Sequence, residues 1–208
     1  VTELAADFAR ALAATTPLEW LGAALGLAYL VLAIRQHPAC WIAAFASTAI
    51  YLYVFGRAGL YMQAALQVYF LAMAVYGWYA WRGTRARPEL RVTRAAWSLQ
   101  AGGLAAVALA TVASATWLAQ GSGAAQPWLD SATSWGSVFA TWLVARKKLD
   151  SWVWWLAIDA LIVVLCWQQR LYPTALLYAL YLVLVVIGWR EWRRSMARAA
   201  DGVAGARA

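Results

Sequence analysis

The chain has 208 residues, of which 64% are hydrophobic and only 12% charged, against about 25% charged in an ordinary soluble domain. Its mean hydropathy is +0.60. Too few charges exist to form a polar shell, which excludes a soluble enzyme and a disordered chain, and two cysteines, Cys40 and Cys166, exclude a disulfide framework. The net charge of +8 does not indicate nucleic acid, because the basic residues flank apolar runs instead of forming one solvated face. What remains is an all-α polytopic membrane protein with one compact domain.

In chain order, residues 1–16 carry Glu3 and Asp7 and no basic n-region. They are read as an N-terminal interfacial segment rather than a cleavable signal. Charge-free windows then follow at 20–34, 36–56, 58–81, 95–129, 131–145, 151–169 (broken by Asp159) and 171–189. About 20 residues cross a hydrocarbon core. The windows at 20–34 and 131–145 are short, and Arg35 and Arg146 at their ends can snorkel. The run Gln120-Gly-Ser-Gly with Pro127 closes the overlong window as a loop. The expectation is seven transmembrane helices: a first three-helix repeat at 17–82, a loop and linker helix at 83–127, a second three-helix repeat at 128–194, and a C-terminal tail at 195–208.

All but three of the 17 Lys and Arg fall after the first, third, fifth and seventh spans. The exceptions are Arg10, Arg57 and Arg170. The positive-inside rule puts the rich side in the cytoplasm, with the N-terminus outside and the C-terminus inside.

Shifted by 111 residues, the sequence matches itself without a gap. Arg35 falls on Arg146, Trp41 on Trp152, Leu60-Tyr61 on Leu171-Tyr172, Gly77-Trp78 on Gly188-Trp189, and Trp81-Arg82 on Trp192-Arg193. Each copy holds three helices, and the helix between them restores the orientation. The copies are therefore expected to be parallel, in the 3+1+3 layout of some transporters that bind near the midplane between repeats.

Asp159 is the one carboxylate deep inside a span, which by default marks a cavity. Trp152, Trp155 and Asp159 lie at i, i+3 and i+7 and share a helix face. The shift relates Trp152 to Trp41 and Asp159 to Thr48. In the third span Gln63, Gln67 and Phe70 share a face, and their counterparts are Thr174, Tyr178 and Tyr181. Aromatic faces with few polar groups suit a flat heterocyclic ligand, and a cationic one would add cation–π attraction. Trp78, Trp81, Trp189 and Trp192 sit beside arginines and read as interfacial anchors. Gly22 and Gly26, four apart, read as close helix packing. An intramembrane enzyme lacks its groups, since His37 lies in a loop and no paired acids occur. No cofactor and no metal are expected.

Three stretches, Gly59-Leu-Tyr…Leu66-Gln67…Tyr76-Gly-Trp-Tyr-Ala-Trp81, Asp130-Ser-Ala…Arg146-Lys147…Trp152-x-x-Trp155-x-x-x-Asp159, and Leu171-Tyr172…Tyr178…Gly188-Trp-Arg-Glu-Trp192, resemble the Pnu-type vitamin transporters over roughly residues 17–195. The resemblance implies a SWEET-like 3+1+3 fold, a homotrimer in the bacterial inner membrane, and facilitated diffusion of a vitamin that a cytoplasmic kinase then traps. It places Trp152, Trp155, Asp159, Gln67 and Tyr178 in the binding motif. Some members have Asn where this chain has Asp159. The expected cargo is nicotinamide riboside, with thiamine second and riboflavin or deoxynucleosides after it. Tyr181, Thr48, Trp41 and Gln63 complete the expected lining by symmetry.

Overall fold

The structure, a computed structural model, describes residues 16–57, 61–83, 90–121, 126–168 and 172–205. Residues 1–15 of the expected interfacial segment lie outside them. Among the described residues the chain forms seven α-helices: α1 Pro17–Ile34, α2 Cys40–Arg57, α3 Tyr61–Trp81, α4 Trp97–Gly121, α5 Pro127–Ala145, α6 Ser151–Gln168 and α7 Tyr172–Gly205. By length and composition α1, α2, α4, α6 and α7 can cross a membrane. α3 and α5, of 21 and 19 residues, match them in length but are less apolar: α3 carries Gln63, Gln67 and four tyrosines, and α5 carries Asp130 with five Ser and Thr.

α1 and α5 start earlier than the charge-free windows. Thr16 caps α1 through a capping box with Glu19, and Pro17 opens the helix. Pro127 opens α5, with Asp130 in its first turn. A carboxylate in the first turn is favoured by the helix dipole and the free N–H groups, so each acid belongs to its helix instead of bounding it. α7 runs on well past its apolar window. Its end is held by Glu191, which pairs with Arg198 at 3.0 Å and Arg194 at 3.8 Å.

The helices pack as a closed ring in the order α1, α2, α3, α5, α6, α7 and back to α1, with α4 outside, packed on α5. The order follows from chain connectivity. Short turns keep α1–α2–α3 and α5–α6–α7 adjacent, and the seams α3/α5 and α7/α1 close the circle.

The turns α1–α2 and α5–α6 match bond for bond at the 111-residue shift. His37 N–H donates to Leu32 C=O and Gln36 N–H to Ala33 C=O, as Lys148 does to Leu143 and Lys147 to Val144, all at 2.9–3.0 Å. Each pair is a Schellman cap that requires a left-handed residue after the helix. Gln36 and Lys147 supply it, with φ of 57° and 48°. Glycine usually fills this position because side chains strain there.

Candidate functional site

At the end of the ring where these turns lie, four indoles form a knot. Trp41 meets Trp81 edge-on at 5.5 Å, Trp81 meets Trp192 at 5.8 Å, and Trp192 meets Trp152 edge-on at 5.3 Å. All four are at most 2% exposed. Trp81 Nε1 donates to Ala145 C=O at 3.1 Å and Trp192 Nε1 to Ala33 C=O at 3.0 Å, so each ties the last helix of one triplet to the first helix of the other. Trp81 and Trp192 are therefore not interfacial anchors. Their rings are buried because the facing helix end offers a carbonyl to each indole N–H; Ala33 C=O accepts from both Trp192 and the capping N–H of Gln36. Trp78 and Trp189 are half-buried and lie under Arg82 at 4.7 Å and Arg193 at 4.5 Å.

Gly77 and Gly188 make the knot possible. A Cβ on Gly77 would overlap the Trp41 ring, and one on Gly188 the Trp152 ring. Lys147, itself buried, sets its ammonium 4.8 Å from the centre of Trp81. The Nε1 groups of Trp41 and Trp152 are buried without a hydrogen-bond partner among the described residues.

Seven residues along α6 from Trp152, Asp159 is 3% exposed. No hydrogen bond or ion pair to it occurs among the described residues. Tyr178 and Tyr181 of α7 lie within its electrostatic reach, and Tyr51 of α2 within reach of both tyrosines. The two α7 rings meet at 5.4 Å in a T. The seam α7/α1 is narrow here because of its small residues. A Cβ on Gly26 would sit 3.7 Å from Tyr181 Oη and 3.5 Å from Ser47 Oγ, and one on Gly22 would sit 3.2 Å from Ile50 and Tyr51. Ser47 Oγ donates to Gly22 C=O at 2.8 Å. The glycine pair thus packs α1 against α2, as its spacing predicts.

The structure therefore brings Asp159, Tyr178 and Tyr181 together, with Tyr51 opposite. Thr48 is buried on α2. Trp155 is half-buried against the core that holds the knot. Gln67 is half-buried on α3, with no hydrogen-bond partner among the described residues. Gln63 and its counterpart Thr174 are exposed. Trp41 and Trp152 face the knot. Tyr51 is not among the lining residues expected from the sequence. Its one signal was its position one turn beyond Thr48 on the same helix. A carboxylate without a partner beside phenol rings can accept hydrogen bonds from, or attract, a ligand that presents N–H, O–H or positive charge. Indoles and phenols around it offer stacking surfaces.

Over residues 16–194 the chain matches the family model described as nicotinamide mononucleotide transporter. It is 32% identical over 183 residues to the riboflavin/roseoflavin transporter RibM of Streptomyces davaonensis, covering 84% of this chain and 83% of that one. It is 26% identical over 204 residues to the nicotinamide riboside transporter PnuC of Escherichia coli strain K12, covering 86% and 85%. Among solved structures, the crystal structure of the Vitamin B3 transporter PnuC superimposes with a TM-score of 0.71 at 22% identity, covering 94% of this chain and 88% of that one. These relatives are transporters.

Proposed function

Because the chain belongs to the nicotinamide mononucleotide transporter family, we propose that it carries a flat heteroaromatic vitamin across the bacterial inner membrane, and that nicotinamide riboside is its substrate. The observation that carries this reading is Asp159, buried without a described partner beside Tyr178 and Tyr181. A pyridinium ring stacked on phenols and facing a carboxylate gains cation–π and Coulomb attraction where the dielectric is low. Gln67, Thr48, Gln63 and Trp155 supply the remaining polar and aromatic contacts, and Trp41 and Trp152 bound the site at the knot.

The carrier works as two parallel triplets, α1–α3 and α5–α7, in a 3+1+3 arrangement with the N-terminus outside. The matched Schellman turns, and the corresponding indoles Trp81 and Trp192 that each bond the end of the other triplet's first helix, support that pairing. The vitamin enters from the side poor in Lys and Arg, binds at Asp159, and leaves when the triplets rock and the knot opens. Each buried, unpartnered indole N–H costs about 1–3 kcal/mol, so the closed knot is poised rather than locked. Transport is facilitated diffusion by a homotrimer, and a cytoplasmic kinase traps the product as a phosphate.

A second reading, riboflavin, is favoured by the 32% identity to RibM. Its neutral ring system presents an imide N–H that a carboxylate also accepts. Parallel calorimetric titrations with nicotinamide riboside, thiamine and riboflavin separate the readings. Heat with nicotinamide riboside, weakened about 10- to 100-fold in Asp159→Ala, supports the first. Binding of riboflavin alone transfers the site to the second, and binding of thiamine alone overturns both.

A further inference from the structure

Outside the ring, α4 and α6 both lean on α5 and leave a cleft of about 640 Å³ between them. One wall is a single face of α4, made of Trp97, Gln100, Ala101 and Leu104 at i, i+3, i+4 and i+7. The other is Val153 and Trp154 of α6. Trp154 Nε1 donates to Gln100 Oε1 at 2.9 Å and bridges the walls. Ala101 is small, and Trp97, Leu104 and Val153 are 84%, 60% and 55% exposed. The cleft is therefore apolar and faces the lipid.

Its mouth is charged. Arg94 lines it with its side chain 72% exposed. Arg91 precedes it, also exposed, and Lys148 stands beside it, donating to Thr93 Oγ1 at 3.0 Å. Asp150 is the one acid in the wall. Its Oδ2 accepts from Ala95 N–H and its Oδ1 lies 3.6 Å from Arg94. Arg94 and Asp150 line the mouth as a pair, and the excess positive charge comes from Arg91 and Lys148 on the segments that flank it.

We propose that this cleft is a specific site for an anionic phospholipid, with the acyl chain between α4 and α6 and the headgroup phosphate on Arg94 and Arg91. Basic pockets between transmembrane helices recognise such headgroups, and the apolar walls accept a chain that a free phosphate lacks. A second copy of this chain fits the mouth less well, since a like-oriented copy brings its own basic end to the same height. The site is independent of the transported substrate.

The test is native mass spectrometry of the full-length protein in detergent with phosphatidylglycerol or phosphatidylcholine of identical chains. The expected result is phosphatidylglycerol retained at concentrations where phosphatidylcholine is lost. Arg94→Gln and Arg91→Gln should each weaken that preference about fivefold, from the surface attraction of one basic residue. Ala101→Phe, which fills the cleft, should abolish retention of both lipids. The arginine variants leave the packed interior untouched and stand even if Ala101→Phe fails to fold. Equal retention of the two lipids by the wild type overturns the proposal. So does undiminished preference in Arg94→Gln/Arg91→Gln, or a cleft occupied by a second copy, seen as a disulfide between Ala101→Cys protomers in membranes.

Discussion

At the knot, Trp41 rests on Gly77 and Trp152 on Gly188, and Trp81 and Trp192 bond to opposite helix ends at 3.1 and 3.0 Å. Seven residues further along the same helices the correspondence ends. α2 offers Thr48 where α6 offers Asp159, and α3 offers Gln67 and Phe70 where α7 offers Tyr178 and Tyr181. The contrast separates two demands on a duplicated unit. Packing is solved alike in the two triplets, with the indole acceptors one residue out of register, because both must make the same turn and fill similar space. On the proposed function, a single asymmetric ligand between them would be contacted by different groups from each side, and the lining would diverge. On that proposal, residues that match across the shift report architecture, and mismatched polar or aromatic residues at matched positions report recognition.

The sharpest way to break this comparison is at Asp159 and Thr48. Asp159→Ala should weaken binding of a cationic vitamin about 10- to 100-fold, whereas Thr48→Ala should change it only a few-fold; titration calorimetry reads both. Equal losses would mean that the two halves contribute alike. Next come the glycines. Gly77→Ala and Gly188→Ala force an indole to move and should each cost about 1–3 kcal/mol, seen as similar falls in the unfolding midpoint in detergent. A fall in one variant alone would show the knot to be unequal.

Smaller effects sharpen the account. Trp81→Phe and Trp192→Phe each remove one N–H from a helix-end carbonyl, and each should cost about 1 kcal/mol. The smallest change distinguishes the two turns. Gln36→Gly relieves a left-handed side chain and should raise stability by up to about 1 kcal/mol. Lys147→Gly should gain less, because its ammonium lies over Trp81. The turn also belongs to a strap with no counterpart in the first triplet among the described residues: Thr93 N–H donates to Lys147 C=O at 3.1 Å, and Leu149 N–H donates to Thr93 C=O at 2.9 Å.

Much of the fold was legible because its signals are one-dimensional. Span length and the 111-residue register are read directly along the chain, and the structure returns a helix at every expected span. Helix starts were less legible. Glu19 and Asp130 look like boundaries in a hydropathy reading, yet capping draws them into the helix. The tryptophans were harder still. An indole near an arginine reads the same whether it lies half-buried under that arginine, as Trp189 does, or bonds a carbonyl of a distant helix, as Trp192 does across 159 residues. Of the site, Asp159 and its tyrosine neighbours could be found from a buried charge and a helix face. Tyr51 and the exposure of Gln63 depend on how α2 and α3 rotate in the ring, which sequence spacing on one helix does not encode.

The most direct test of the central claim is counterflow in proteoliposomes with labelled nicotinamide riboside and no ion gradient. The account predicts saturable uptake driven by unlabelled vitamin inside, abolished or much reduced in Asp159→Ala. Uptake that requires a proton or sodium gradient, or that persists unchanged in Asp159→Ala, would contradict it.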